Sequence, residues 1–166
     1  PRSVVNRYMD LLFGKEKKTF EITSASTAAT SISEVADPET SLNCTEDMFS
    51  TRPGYNPHEY RWGDGCAAIL DFILIADGER RPSAVNTGQN IALVISVRFF
   101  SLLVRPIFGI TIKTKEGVTV YGVNTETLET EAFKSLGKPG QSAYITASFC
   151  CRLAPGDYFI SLGIAT

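Results

Sequence analysis

Most signatures of a catalytic or metal-binding chain are missing from this sequence. It has one histidine, His58, set between Pro57 and Glu59. No GxSxG elbow or other nucleophile motif accompanies it, so a general base with something to activate is not evident. The carboxylates Asp64, Asp71 and Asp77 offer no motif of their own, and Asp64 and Asp77 flank strands at turns, where aspartate is common. The four cysteines, Cys44, Cys66, Cys150 and Cys151, form no CxxC pair. Neighbours on a strand point to opposite faces, so Cys150 and Cys151 are poorly placed to share one metal. There is no Walker sequence, no GxGxxG and no DxDxDG loop, and "GKPGQS" carries Pro139 where a phosphate cradle would need a helix start. The expectation is a chain without catalytic residues, metal or cofactor, in a reducing, cytoplasmic compartment.

Other absences narrow the partners. Lys and Arg total 16 against 18 Asp and Glu, a net charge of −2. That leaves no basic excess to displace counterions from nucleic acid. The longest apolar stretches, 69–75 and 91–104, are broken by charge or polarity and fall short of the roughly 18 to 20 residues that span a bilayer. The opening "PRSVVNRYMDLLF" lacks the apolar core of an export signal. It reads as a cut within a longer chain, as does the apolar ending "YFISLGIAT".

What is present is an ordinary core-forming composition: 43% hydrophobic residues in 166, enough for one domain. Residues 1–18 hold a short amphipathic helix, Ser3 to Phe13, with Val4, Val5, Tyr8, Leu11 and Leu12 at helical spacing. Residues 19–57 read as irregular or flexible. Glu21 to Ser50 is rich in Ser, Thr and acidic residues without a period, and Pro53 and Pro57 follow. From residue 58 to 166 the pattern is strands: "CAAILDFILIAD", "NIALVISVRFF", "IFGITIKTK", "VTVYGV", "AYITASFCCRL" and "DYFISLGIA", separated by Gly, Pro and Asn turns. No helical stretch divides them, which predicts an all-β antiparallel sandwich with a short N-terminal helix.

Alternation divides the strands into faces. Ile91, Leu93, Ile95, Val97 and Phe99 share one side of their strand, as do Ala143, Ile145, Ala147, Phe149 and Cys151 of theirs. The opposite side carries Ser96 and Arg98, and Tyr144, Thr146 and Ser148, a polar surface suited to a polyhydroxyl ligand or simply to solvent. The only tryptophan, Trp62, stands in "EYRWGDG". Its indole either stacks on a sugar ring, with Tyr60 beside it and Arg61 and Asp64 to bond the hydroxyls, or plugs an end of the core.

Three ordered blocks, "RWGDGCAAILDFILIADGE", "IFGITIKTKEGVTVYGVNT" and "LAPGDYFISLGIA", resemble the carboxy-terminal carbohydrate-binding domain of Wzt proteins, over roughly Tyr60 to Ala165. Wzt is the ATPase subunit of ABC transporters that export O-antigen polysaccharide. The resemblance implies an immunoglobulin-like or jelly-roll sandwich, homodimeric with or without strand exchange, that catalyses nothing. It implies recognition of the O-polysaccharide at its modified non-reducing end, in the cytoplasm. The domain would lie peripheral to the inner membrane, through a full-length protein that meets the exporter's transmembrane subunit. The upstream helix would then lead from an ATPase domain. Candidate glycan contacts are Trp62, Tyr60, Arg61, Ser96, Arg98, Tyr144, Thr146 and Ser148, with Arg98, Arg61 and Arg152 as clamps if the glycan end carries phosphate. The other reading is a dimerisation or protein-interaction sandwich that binds no glycan.

Overall fold

A computed structural model describes residues 19–24, 42–126 and 131–166. The helix expected over Ser3 to Phe13 lies outside the described residues. The strands are β1 (Thr19–Ser24), β2 (Ala67–Ala76), β3 (Glu79–Arg80), β4 (Asn90–Phe99), β5 (Ile107–Thr114), β6 (Thr119–Asn124), β7 (Ser142–Cys150) and β8 (Tyr158–Ala165), with a single helical turn, α1 (Glu131–Lys134). They form a five-stranded sheet in the order β1-β7-β4-β2-β3 and a three-stranded sheet in the order β6-β5-β8. Every pairing is antiparallel, as the predicted sandwich requires.

The alternation read in the sequence sets the core. Leu93, Ile95, Val97 and Phe99 of β4 pack with Ala143, Ile145 and Ala147 of β7, and Phe108 and Ile110 of β5 meet them from the second sheet. Each large side chain of this kind contributes about 1.5–3 kcal/mol on burial. Phe133 of α1 and Leu136 close one end, with the Phe133 ring 5.8 Å from that of Phe108. The hairpin between β2 and β3 turns on Asp77 and Gly78, both at positive φ (44° and 88°), the conformation the Asp-Gly pair is suited to.

Strand β2 departs from simple alternation. Its register to β4 shifts between Ile69 and Asp71, so Leu70 is the extra residue of a β-bulge. Unbroken alternation would put Asp71 on the same side as Ile69, which faces the core opposite Val97. The bulge instead sets Asp71 opposite Ser96 on the outer face and turns Phe72 inward opposite Ile95.

Within the segment 19–57, expected to be irregular or flexible, the described residues include a strand and a 3-10 turn. Thr19–Ser24 pairs along β7 as an edge strand, from Thr19 opposite Ser148 to Ser24 opposite Ala143. Residues 42–52 run as an ordered strap at the β2 side of the five-stranded sheet, including a 3-10 turn at Phe49–Thr51.

Candidate functional site

The strap is held by polar chemistry together with one aromatic contact, the Phe49 ring 4.8 Å from that of Phe72. Asn43 Oδ1 accepts from Thr45 N (2.8 Å), Thr45 Oγ1 (2.9 Å) and Glu46 N (3.1 Å), and Asp47 Oδ1 accepts from Phe49 N (3.0 Å). These local bonds favour a turn over helix or strand. Met48 N donates to Leu70 O at the bulge (2.8 Å). The principal anchor is Asp71, fully buried, which accepts from Arg52 Nε (2.7 Å) and Nη2, Asn43 N (2.8 Å) and Phe72 N (2.8 Å). Burial alone pushes its carboxyl upward. The Arg52 hydrogen bonds and the two backbone donors outweigh that and hold it below its ordinary value.

Across the sheet, Asp71, Ser96 and Tyr144 form one row through β2, β4 and β7. Tyr144 Oη donates to Leu42 O (3.2 Å), and Ser142 Oγ donates to Cys44 O (3.5 Å). Burial, and next the neighbouring Cys44, raise the Tyr144 phenol above its usual range. Ser96 is wholly buried. It is a row-mate of the strap anchor and is not accessible to a ligand while this arrangement holds.

The sequence between the strap and β2 does the reverse with its aromatics. Arg61 is turned onto the protein: Nε donates to Glu59 Oε1 (2.8 Å), Nη1 to Asp47 Oδ2 (2.8 Å) and Ile69 O (3.4 Å), and the guanidinium lies 4.6 Å from the Phe49 ring centroid. Partial burial disfavours its charge, yet Glu59 and Asp47 raise its pKa overall. The residues on either side of it project outward, Tyr60 at 83% and Trp62 at 86% exposure. Trp62 therefore does not plug the core. Behind it Asp64 Oδ1 accepts from Cys66 N (2.9 Å), a bond that lowers the Asp64 pKa and fixes the entry to β2.

The eight candidate residues thus fall into three settings. Tyr60 and Trp62 are displayed, with Arg61 fastening the chain between them. Ser96 and Tyr144 lie in the row that the strap engages. Arg98, Thr146 and Ser148 are half-buried on the same outer face, with Arg98 opposite Ser142 and 6.0 Å from the Phe100 ring. Alternation assigns the sheet residues to one face, and they share it. What sequence reasoning missed was the strap, and the signal available was Asp71 itself: a carboxylate inside "AILDFILIA" needs a buried partner. His58 is exposed, its backbone N donating to Asn56 Oδ1 (2.9 Å). Among the described residues no group of three or more His, Cys, Asp or Glu is arranged to hold a metal ion, and no helix is long and apolar enough to cross a membrane.

The model of the Wzt C-terminal domain family matches residues 58–166, well over half of the chain. The chain belongs to the Wzt C-terminal domain family. A solved structure described as the crystal structure of the C-terminal domain of Wzt is 33% identical, with a TM-score of 0.64 over 72% of this chain and 71% of that one. No curated protein matches. The Wzt match begins at His58, so it contains Tyr60, Trp62, Asp71 and strands β2 to β8, whereas β1, Asn43 and Arg52 precede it. As a Wzt C-terminal domain the chain is the part of that O-antigen ABC transporter subunit separate from its ATPase.

Proposed function

We propose that this domain binds O-polysaccharide for export without catalysing a reaction, and that Tyr60 and Trp62 form the platform on which the glycan, at its modified non-reducing end, stacks. The observation that carries the reading is the display of both aromatics on a backbone that Arg61 fastens at Asp47, Glu59 and Ile69 O. An indole and a phenol so exposed contribute little to the core, and a chain ordered before binding loses less entropy on binding. On the outer sheet face Arg98 lies opposite Ala68 at the start of β2, the end that follows Trp62, whereas Thr146 and Ser148 are in line with Ile73 and Ile75 further along the strand. In the full-length protein this domain would work in the cytoplasm beside the exporter's transmembrane subunit.

Replacing Trp62 with alanine is expected to weaken binding of the source bacterium's released O-polysaccharide about tenfold or more, a loss near 1.4 kcal/mol. Stability to urea should stay within about 0.5 kcal/mol, as for most exposed positions. Titration calorimetry and urea melts read the two quantities, and undiminished binding by a folded Trp62→Ala chain would remove the platform.

A homodimer is the second element, favoured by the unequal sheets. Among the described residues β8 pairs with β5 on one edge and with no strand on the other, and it leaves Phe159 at 44% and Ile160 at 40% exposure. An open apolar edge of this kind favours covering by another chain, with or without exchange of the strand. Sedimentation equilibrium is expected to give a dimer that Phe159→Asp with Ile160→Asp converts to monomer; a wild-type monomer at tens of micromolar would refute it. A dimer that retains no O-polysaccharide would instead favour a purely protein-binding sandwich.

A further inference from the structure

The charges around the two displayed aromatics bear on which glycans they accept. Glu59 precedes Tyr60, Asp64 follows Trp62 by two residues, and Asp47 is joined to the same stretch through Arg61. Three carboxylates against one guanidinium leave 1 − 3 = −2 at the platform, with His58 neutral. Glu59 is next to Tyr60 and Asp64 two residues from Trp62, at most about 7 Å along the backbone and so comparable with the ~8 Å over which charge is felt at physiological salt.

Arg61 and Arg52, the cations that hold this stretch and the strap, are already engaged. Arg61 is shared between Glu59 and Asp47, and Arg52 is spent on Asp71. Arg98 lies apart from them, half-buried on the sheet and 6.0 Å from the Phe100 ring, its buried Nε without a hydrogen-bond partner. An acidic sugar on Trp62 would therefore meet uncompensated negative charge, and drawing Arg61 away would strip the bond that fixes the platform. Neutral sugar rings suffer neither cost, and their hydroxyls can donate to Glu59 and Asp64 as they stand.

We infer that the Tyr60–Trp62 platform selects an uncharged stretch of glycan and disfavours one bearing carboxylate or phosphate. This rests on the platform reading above and adds the charge class of the ligand. It also turns Arg61 from an anion clamp into a structural pin.

Because Trp62 is the chain's only tryptophan, its fluorescence reports on the site alone. Without ligand, caesium is expected to quench it more efficiently than iodide, relative to free N-acetyltryptophanamide. With ligand, the probes are the source bacterium's released O-polysaccharide and the same polymer after partial oxidation of its primary hydroxyls to carboxylates. The untreated polymer should shift the emission, and the oxidised one should bind about tenfold more weakly at 20 mM salt. That gap should close towards threefold at 0.5 M, and Asp64→Lys should close it at low salt, since both act on charge. Oxidised polymer that binds as tightly as the untreated one, untreated polymer that proves acidic yet binds, or iodide that quenches as well as caesium would overturn the charge inference while leaving the platform. Emission unmoved by either polymer would overturn the platform itself, and the inference with it.

Discussion

Changing Asp71 to alanine is expected to destabilise the domain by about 3–5 kcal/mol, the usual result of removing one member of a buried ion pair. The carboxylate is fully buried, and the Arg52 side chain bonded to it is only 12% exposed. Alanine would leave that guanidinium, Asn43 N and Phe72 N without their acceptor. Against a total stability of roughly 5–15 kcal/mol this is a large fraction. Asparagine retains the shape and one acceptor, so Asp71→Asn should fall between wild type and Asp71→Ala in urea denaturation. The pair also sets an acid dependence. Because the folded carboxyl lies below its unfolded value of about 3.9, its contribution is complete above that pH and disappears as pH falls through the folded pKa. Wild-type stability should therefore drop below about pH 4, with the drop reduced in Asp71→Asn. A loss under about 1 kcal/mol for Asp71→Ala would mean that the strap is dispensable.

The second large effect lies where the loop after β4 meets the loop before β7. Gly137 has φ +104°, and a Cβ there would overlap the Leu103 carbonyl. Leu103 N also donates to Gly137 O (2.9 Å), which fixes the 100–106 loop and seats Leu103 in the core. Gly137→Ala combines an unfavourable backbone conformation with displacement of that loop and is expected to cost about 3 kcal/mol or more. For a chain of this length that is a fall of roughly 6–12 °C in Tm. A melt within about 2 °C of wild type would show that the loop yields freely.

How far the sequence announced this structure depends on the range of the forces involved. Strands β4 and β7 could be read because their apolar period survives unbroken: Ile91 to Phe99 and Ala143 to Ala147 point where alternation places them. Strand β2 could not be assigned a face, since both of its sides are apolar and its phase changes at Leu70. The strap escaped notice for a different reason. Its order comes from Arg52 and Asn43 reaching a carboxylate 19 and 28 residues away, and no local pattern encodes such a meeting. At the candidate site, residue type singled out Tyr60 and Trp62, but only the structure decided between a displayed indole and a buried one. Ser96 lies on the face that alternation assigned it, and burial in the strap row, which alternation does not report, closes it off.

The salt bridge between Arg52 and Asp71 also bears on where this domain begins. Although the solved Wzt domain aligns with 72% of the chain, similarity to the family model starts at residue 58, between the two partners. A unit defined by that similarity keeps the buried anion and discards its counterion. A unit that keeps the counterion has to include Arg52, and one that keeps the backbone donor as well has to include Asn43.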